Sequence, residues 1–223
     1  MRHAILTSLA TAILLSACAH HPTKPSSLPI TPAAPTKPSA PIGADVAVML
    51  IKFGREKTPQ RVVIGLYDDA APKTVENFKE LVKKKFYNGL RFHRVFEHYL
   101  VQTGDPRSRH GDTELTGTGG PGYTLPAEIK RPHVRGAVAM ARLDDKVNPM
   151  RASNGSQFYV CLQPMPQLDG KYTVFGEVIE GIEVLDYLSG RPTNSNDFPL
   201  EKIVISSITI APRETALSQQ PSM

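Results

Sequence analysis

The sequence predicts a mainly β domain with two helices, built either as a closed barrel capped at its ends or as an α+β sandwich. Two observations predict it. Eight short runs rich in Val, Ile, Phe and Tyr succeed one another between residues 46 and 210, bounded by Gly, Pro, Asn or Asp. Two intervening segments carry apolar residues at helical spacing. Many evenly spaced strands with two helices favour closure, which removes exposed sheet edges; pattern alone leaves both arrangements open.

Residues 1–17 have the layout of an export signal, with Arg2 and His3 before an apolar run from Ala4 to Ala17. The run falls short of the roughly 20 apolar residues that span a bilayer. Leu15-Ser16-Ala17-Cys18 resembles a bacterial lipobox, whose cysteine is diacylated and becomes the new N-terminus. Lipidation at Cys18 would anchor the chain to a membrane by two or more acyl chains, since one alone binds only marginally. Ala19, not an acidic residue, follows, as in lipoproteins sent to the outer membrane facing the periplasm of a two-membrane cell. Residues 18–43 then read as the lipidated cysteine and a stalk. Prolines at 22, 25, 29, 32, 35, 38 and 41 alternate with Thr, Ser, Ala and Lys, which cannot form a core. Extended polyproline II at ~3.1 Å per residue gives this stalk a reach of roughly 75 Å.

Residues 44–211 form the folded domain. The expected strands are Val46–Phe53, Arg61–Tyr67, Leu90–Val95, Tyr99–Thr103, Gly136–Arg142, Gln157–Leu162, Thr173–Ile179 and Lys202–Ile210. One helix is expected where Val75, Phe78, Leu81 and Val82 recur after Pro72, which is harmless near a helix start. A second is expected where Ile182, Leu185 and Leu188 precede Gly190. The segment 103–135 reads as irregular. Its Gly117-Thr118-Gly119-Gly120-Pro121-Gly122 lacks the following helix and Lys-Ser or Lys-Thr of a phosphate cradle, so a surface loop at the rim of a site is expected. Residues 212–223 read as a disordered polar tail.

Composition narrows the function. The net charge of +5 comes without a long basic tract, and the densest cluster, Lys83-Lys84-Lys85, suits a helix C-terminus; no nucleic-acid partner is expected. Two cysteines make no disulfide framework, and Cys161, between Val160 and Leu162, reads as a small core residue. The histidines at 3, 20, 21, 93, 98, 110 and 133 have no metal-ligand spacing, so neither metal nor cofactor is expected. Asn154-Gly155-Ser156-Gln157 is not a nucleophile elbow.

What remains is a guanidinium in an aromatic setting. Arg94 lies in Phe92-His93-Arg94, eight residues before the amide of Gln102. Such a site suits a reaction that moves no proton and forms no covalent intermediate, such as rotation about a prolyl peptide bond. At the twisted transition state the prolyl nitrogen lone pair leaves conjugation and can accept a hydrogen bond, so a donor aimed there stabilises the transition state over either ground state. Arg94 is the donor candidate, since its charge is permanent and its fork rigid. Phe96, Tyr99, Leu100, Phe158, Tyr159 and Leu168 offer apolar surface, and Gln102 and Gln157 offer amides.

FHRVFEHYLVQTGD (92–105), GTGG (117–120), AMAR (139–142), NGSQFYVCL (154–162) and LDGKYTVFGEV (168–178) together, in this order, resemble the cyclophilin family of peptidyl-prolyl isomerases. The resemblance spans about residues 45–210. It implies a closed eight-stranded antiparallel cyclophilin-like barrel capped by two helices, with the site in a groove on its outer face. Arg94 matches the catalytic arginine, and Gln102 the glutamine that helps hold Arg94 and the substrate. Tyr99, Leu100, Tyr159 and Leu168 match the proline pocket, while Ala141, Arg142 and Gln157 match positions contacting the substrate backbone. His93 is placed at the groove's rim, and Tyr172 stands at its edge where the family has histidine. The implied partners are proline-containing polypeptides, and a monomer is expected.

Several positions depart from the family pattern. Tyr99 and Tyr159 stand where phenylalanine is usual, so two phenol hydroxyls need partners if buried. Leu100 replaces methionine. Gln167 replaces the tryptophan associated with tight cyclosporin binding, so weak inhibition is expected. The loop Leu143–Ser153 is longer than in eukaryotic members, and its Asp144, Asp145, Lys146 and Arg151 are expected to be solvated. The function expected is prolyl isomerisation during folding of exported proteins; the alternative is a non-catalytic chaperone or scaffold of the same fold that grips proline-containing segments.

Overall fold

The computed structural model describes residues 42–218. The expected export signal, Cys18 and almost all of the proline-rich stalk lie outside the described residues. Among the described residues no helix is long and apolar enough to cross a membrane.

The chain forms β1 (Asp45–Phe53), β2 (Gln60–Leu66), α1 (Pro72–Lys83), β3 (Arg94–Phe96), β4 (Leu100–Thr103), β5 (Ala137–Met140), β6 (Phe158–Cys161), β7 (Val174–Glu180), α2 (Ile182–Ser189), β8 (Ile203–Pro212) and α3 (Arg213–Ser218). Each expected strand overlaps an observed one. α1 buries Thr74, Val75, Phe78, Leu81 and Val82, the face read from the apolar spacing. Its N-terminus has no local side-chain cap. Glu128 supplies one from a distant loop, accepting from the backbone N–H of Lys73 at 3.1 Å and of Thr74 at 2.9 Å. The tail differs from expectation: residues 213–218 are helical, Ala216 is 3% exposed, and its carbonyl accepts from Arg61 at 2.6 Å.

The strands pair antiparallel in one sheet, ordered β3-β4-β6-β5-β7-β2-β1-β8. Register shifts at Leu50/Ile51, Val63/Ile64 and Val138/Ala139 mark irregularities of the kind that bend a sheet. The sheet curls only into an open half-barrel, which corrects the expected closed barrel. No ladder joins the terminal strands β3 and β8. β3 is three residues long, and on its outer edge Val95 N–H donates to Asp197 O of a loop at 2.9 Å. Only the chain just before β3 reaches β8, through the bridge Arg91–Val204 and bonds such as Gly89 N–H to Ile205 O at 2.7 Å.

The concave face holds the core. Ala47, Met49, Ile51 and Phe53 of β1, Val62, Ile64 and Leu66 of β2, and Ile203, Ile205 and Ile208 of β8 meet Phe78 of α1 and Leu185 and Leu188 of α2. Phe158 belongs here too, which corrects its expected place in the substrate groove. It is fully buried, with its ring 5.9 Å from Phe78, 5.7 Å from Tyr87 and 6.1 Å from Phe175. Strand alternation is the reason: Phe158 and Val160 point inward, and Tyr159 points out.

His93 is likewise buried, 5% exposed, not at a rim. Among the described residues neither ring nitrogen has a hydrogen-bond partner. Burial, opposed by the nearby Asp105 carboxylate, pushes its pKa from 6.5 down to about 4.

Phe158→Ala should cost about 3–5 kcal/mol of stability in urea unfolding, as for other buried aromatic truncations. For His93, the unfolded chain takes up a proton near pH 6.5 while the native state does so near 4. The contribution of His93 to stability is therefore full above about pH 6.5 and is lost, on the order of 3 kcal/mol, as the pH drops to 4. His93→Asn should flatten that slope in denaturation measured across the interval.

Candidate active site

The short strands β3, β4, β6 and β5 use both their faces. Opposite the core, one cross-strand row runs Arg94–Gln102–Tyr159–Ala139, and the next runs Phe96–Leu100–Cys161. Tyr159, Cys161, Ala137, Ala139, Val174 and Met165 pack as a second apolar cluster, with Tyr99, Leu100, Leu168 and Tyr172 half-buried against it. Burial pushes the Cys161 thiol up to about 12, helped by Asp169, which leaves it an inert packing residue.

A chain of amide bonds frames one side of this face. The Asp105 carboxylate is fully buried and accepts from the backbone N–H groups of Arg107, Gly117 and Gly119. The carbonyls of Gly117 and Gly119 in turn accept from Gln157 Nε2, at 2.9 and 2.7 Å. Gln157 Oε1 accepts from Gln102 Nε2 at 2.9 Å. The GTGG segment thus sits between an anion and an amide, and the N–H groups a phosphate would need are spent on Asp105. Glycine is required at 119 by space, since a Cβ there would fall 2.1 Å from Asp105 Oδ1. Gly117 has φ +91°, a conformation that other residues rarely adopt.

Arg94 is half-buried, and its guanidinium lies 4.8 Å from the Phe96 ring centroid. Among the described residues it makes neither a salt bridge nor a hydrogen bond. Gln102 is its cross-strand neighbour but spends its amide N–H on Gln157, not on Arg94.

The two phenols stand where the sequence placed a pocket, and each has a partner. Gln167 Nε2 donates to the Tyr99 hydroxyl at 2.5 Å. The Tyr159 hydroxyl lies 3.0 Å from His133 Nε2, and His133 Nδ1 lies 2.9 Å from Asp169 Oδ1. The His133 side chain is fully buried. Neither His133 nor Asp169 carries a metal-ligand spacing in the sequence; the signal that points to them is a phenol at 159 that needs an acceptor once buried.

The far edge is held by Arg142, whose side chain is 4% exposed. It lies over Tyr172 at 4.5 Å, donates to Lys171 O and Leu143 O at 2.8 Å each, and pairs with Asp145 at 2.6 Å. Arg151 also pairs with Asp145 and donates to Gly170 O. The long loop is therefore tied to the edge through Asp145 and Arg151, rather than merely solvated. Ala141 brings little free backbone: its N–H donates to Gln157 O at 2.9 Å, and its carbonyl accepts from Asn154 N–H at 2.8 Å. The structure thus gathers Arg94, Phe96, Tyr99, Leu100, Gln102, Ala141, Arg142, Gln157, Tyr159, Leu168 and Tyr172 on or around one outer face, and leaves Phe158 and His93 inside.

A family model described as cyclophilin type peptidyl-prolyl cis-trans isomerase/CLD matches residues 50–210. The chain is 40% identical over 158 residues to peptidyl-prolyl cis-trans isomerase-like 3 of Mus musculus, covering 67% of this chain and 89% of the relative. It is 42% identical over 132 residues to peptidyl-prolyl cis-trans isomerase B of Bacillus subtilis, covering 58% and 83%. A crystal structure of a Cryptosporidium parvum cyclophilin-type isomerase, determined in the presence of the dipeptide Ala-Pro, superposes with a TM-score of 0.64 at 28% identity, covering 74% of this chain and 98% of that one. With a half-barrel of eight antiparallel strands and a matching family model over most of its length, this chain belongs to the cyclophilin-type peptidyl-prolyl cis-trans isomerases.

Proposed function

We propose that the chain rotates X–Pro bonds in proline-containing polypeptides with Arg94 as the catalytic residue. The observation that carries this reading is the state of that guanidinium. It rests on Phe96, has no partner of its own among the described residues, and stands one strand from the apolar cluster around Tyr159. A proline ring seated against Tyr99, Leu100, Tyr159 and Leu168 would bring its nitrogen toward a donor already partly dehydrated. As the bond twists, the nitrogen gains a lone pair and Arg94 donates to it. A preorganised donor of this kind is worth about 10²–10³ in rate. Gln157, locked to the GTGG carbonyls, holds Gln102 in place as the polar edge for the flanking backbone. Ala-Pro, named for the Cryptosporidium parvum structure, contains the same kind of bond.

The setting we propose is outside the cytoplasm. A lipid on Cys18 and a stalk up to residue 43 would present a monomeric isomerase to exported chains, where uncatalysed prolyl isomerisation takes about 10–100 s. The support for this part is the sequence of residues 1–43.

Arg94→Ala should lower turnover of an X–Pro peptide by at least about tenfold, with circular dichroism unchanged. Arg94→Lys should fall between the two, since a point charge lacks the planar fork. Protease-coupled or NMR exchange assays read both, and unchanged turnover in Arg94→Ala rejects the assignment. Mass spectrometry of the mature protein should find a diacylated Cys18 at the N-terminus; an intact Met1 rejects the anchor.

A further inference from the structure

The Tyr159 hydroxyl points away from the sheet into a small buried polar chain that the isomerase reaction does not itself require. Its partner His133 touches the pocket on two sides. The ring lies nearly parallel to that of Tyr159, 9° apart in tilt with centroids 6.1 Å apart, joined to it end-on through the hydroxyl, and meets Tyr172 edge-on at 6.2 Å. The same residue grips the turn that carries Leu168: its backbone N–H donates to Asp169 Oδ1 at 2.7 Å, its ring Nδ1 reaches that oxygen at 2.9 Å, and its carbonyl accepts from Met165 N–H at 2.8 Å. One buried imidazole thus fixes both Tyr159 and Leu168.

The hydrogen positions follow from the acceptors. Asp169 can only accept, so Nδ1 carries the hydrogen of the neutral ring. Nε2 is then the acceptor, and Tyr159 O–H donates to it, turning its hydrogen away from the groove. A second proton on His133 must sit on Nε2. That N–H then donates to Tyr159 oxygen, and the phenol hydrogen swings out toward the apolar pocket.

We propose that His133, held by Asp169, is a positioning residue for the proline pocket, and that a proton on its Nε2 weakens proline-peptide binding by reversing the Tyr159 hydroxyl. The inference rests on the reading that Tyr159 and Leu168 line that pocket. The groups that set the equilibrium are few. Asp169 on the Leu168 turn favours the charged ring, while Tyr159 and Cys161 of β6 and Tyr172 are neutral. Arg142, reaching over Tyr172, opposes a second cation; Arg131 and Arg135, beside His133 in the chain, are paired with Asp69 and Asp186. Burial holds the ring below the ordinary histidine range against the pull of Asp169, so the neutral pocket prevails near neutrality.

The effect on binding is separable from the effect on rotation, because Arg94 does not touch this chain. Affinity for an Ala-Pro peptide, followed by NMR from about pH 7.5 to about pH 4.5, should fall by at least about threefold with the midpoint of the His133 ring resonances, and by linkage bound peptide should lower that midpoint. In exchange measurements KM should carry the loss and kcat should stay level. His133→Gln, which cannot take up the proton, should bind with a flat pH profile. The proposal is overturned by affinity that stays constant while His133 titrates, by a ring that remains neutral to pH 4.5, or by a His133→Gln profile as steep as wild type. A peptide that is turned over yet leaves Tyr159 and Leu168 resonances unmoved at pH 7.5 instead removes the pocket assignment beneath it.

Discussion

Alternation of side chains across four short strands is the constraint on which this molecule depends. In β3, β4, β6 and β5, Val95, Val101, Val160 and Val138 enter the core, while Arg94, Gln102, Tyr159 and Ala139 line up on the other side. A slip of one residue in any of these ladders would send the arginine into hydrocarbon and a valine into the groove. The core that fixes the register therefore also aims the site.

Charge is distributed on that face in two ways. Arg142 is engaged by Asp145, by two carbonyls and by the Tyr172 ring, which makes it part of a wall. Among the described residues, Arg94 has only the Phe96 ring beneath it. A cation stacked on an aromatic face retains its N–H donors, because the ring engages the charge and leaves the edges of the guanidinium plane open. A pre-existing carboxylate partner would have consumed those donors. Between the two arginines, the Asp105–GTGG–Gln157–Gln102 chain turns a glycine loop into a frame in which the N–H groups and the carbonyls of Gly117 and Gly119 all have partners.

The departures from the family pattern fall into compensating sets. A phenol at 99 meets an amide at 167, and a phenol at 159 meets His133 and Asp169. A buried hydroxyl such as that of Tyr159, left without a partner, would have weakened the fold by about 1–3 kcal/mol. Substitutions that read singly as doubtful become consistent once the third dimension shows which residues face them.

The sequence by itself determined the family, the approximate places of all eight strands and both main helices, because periodicity and motif blocks are local or ordered along the chain. Arg94, Gln102, Tyr159 and Leu168 needed nothing more than their surrounding letters to be singled out. Tertiary structure decided what depends on the partner across a gap. It kept the sheet open, since a loop rather than β8 took the edge of β3. It placed Phe158 and His93 inside, because which face of a short strand or loop is buried is a property of the packed neighbours. It joined Asp105 to Gly117, and Tyr159 to His133 and Asp169, because a hydrogen bond has no signature in a sequence until folding brings donor and acceptor within about 3 Å.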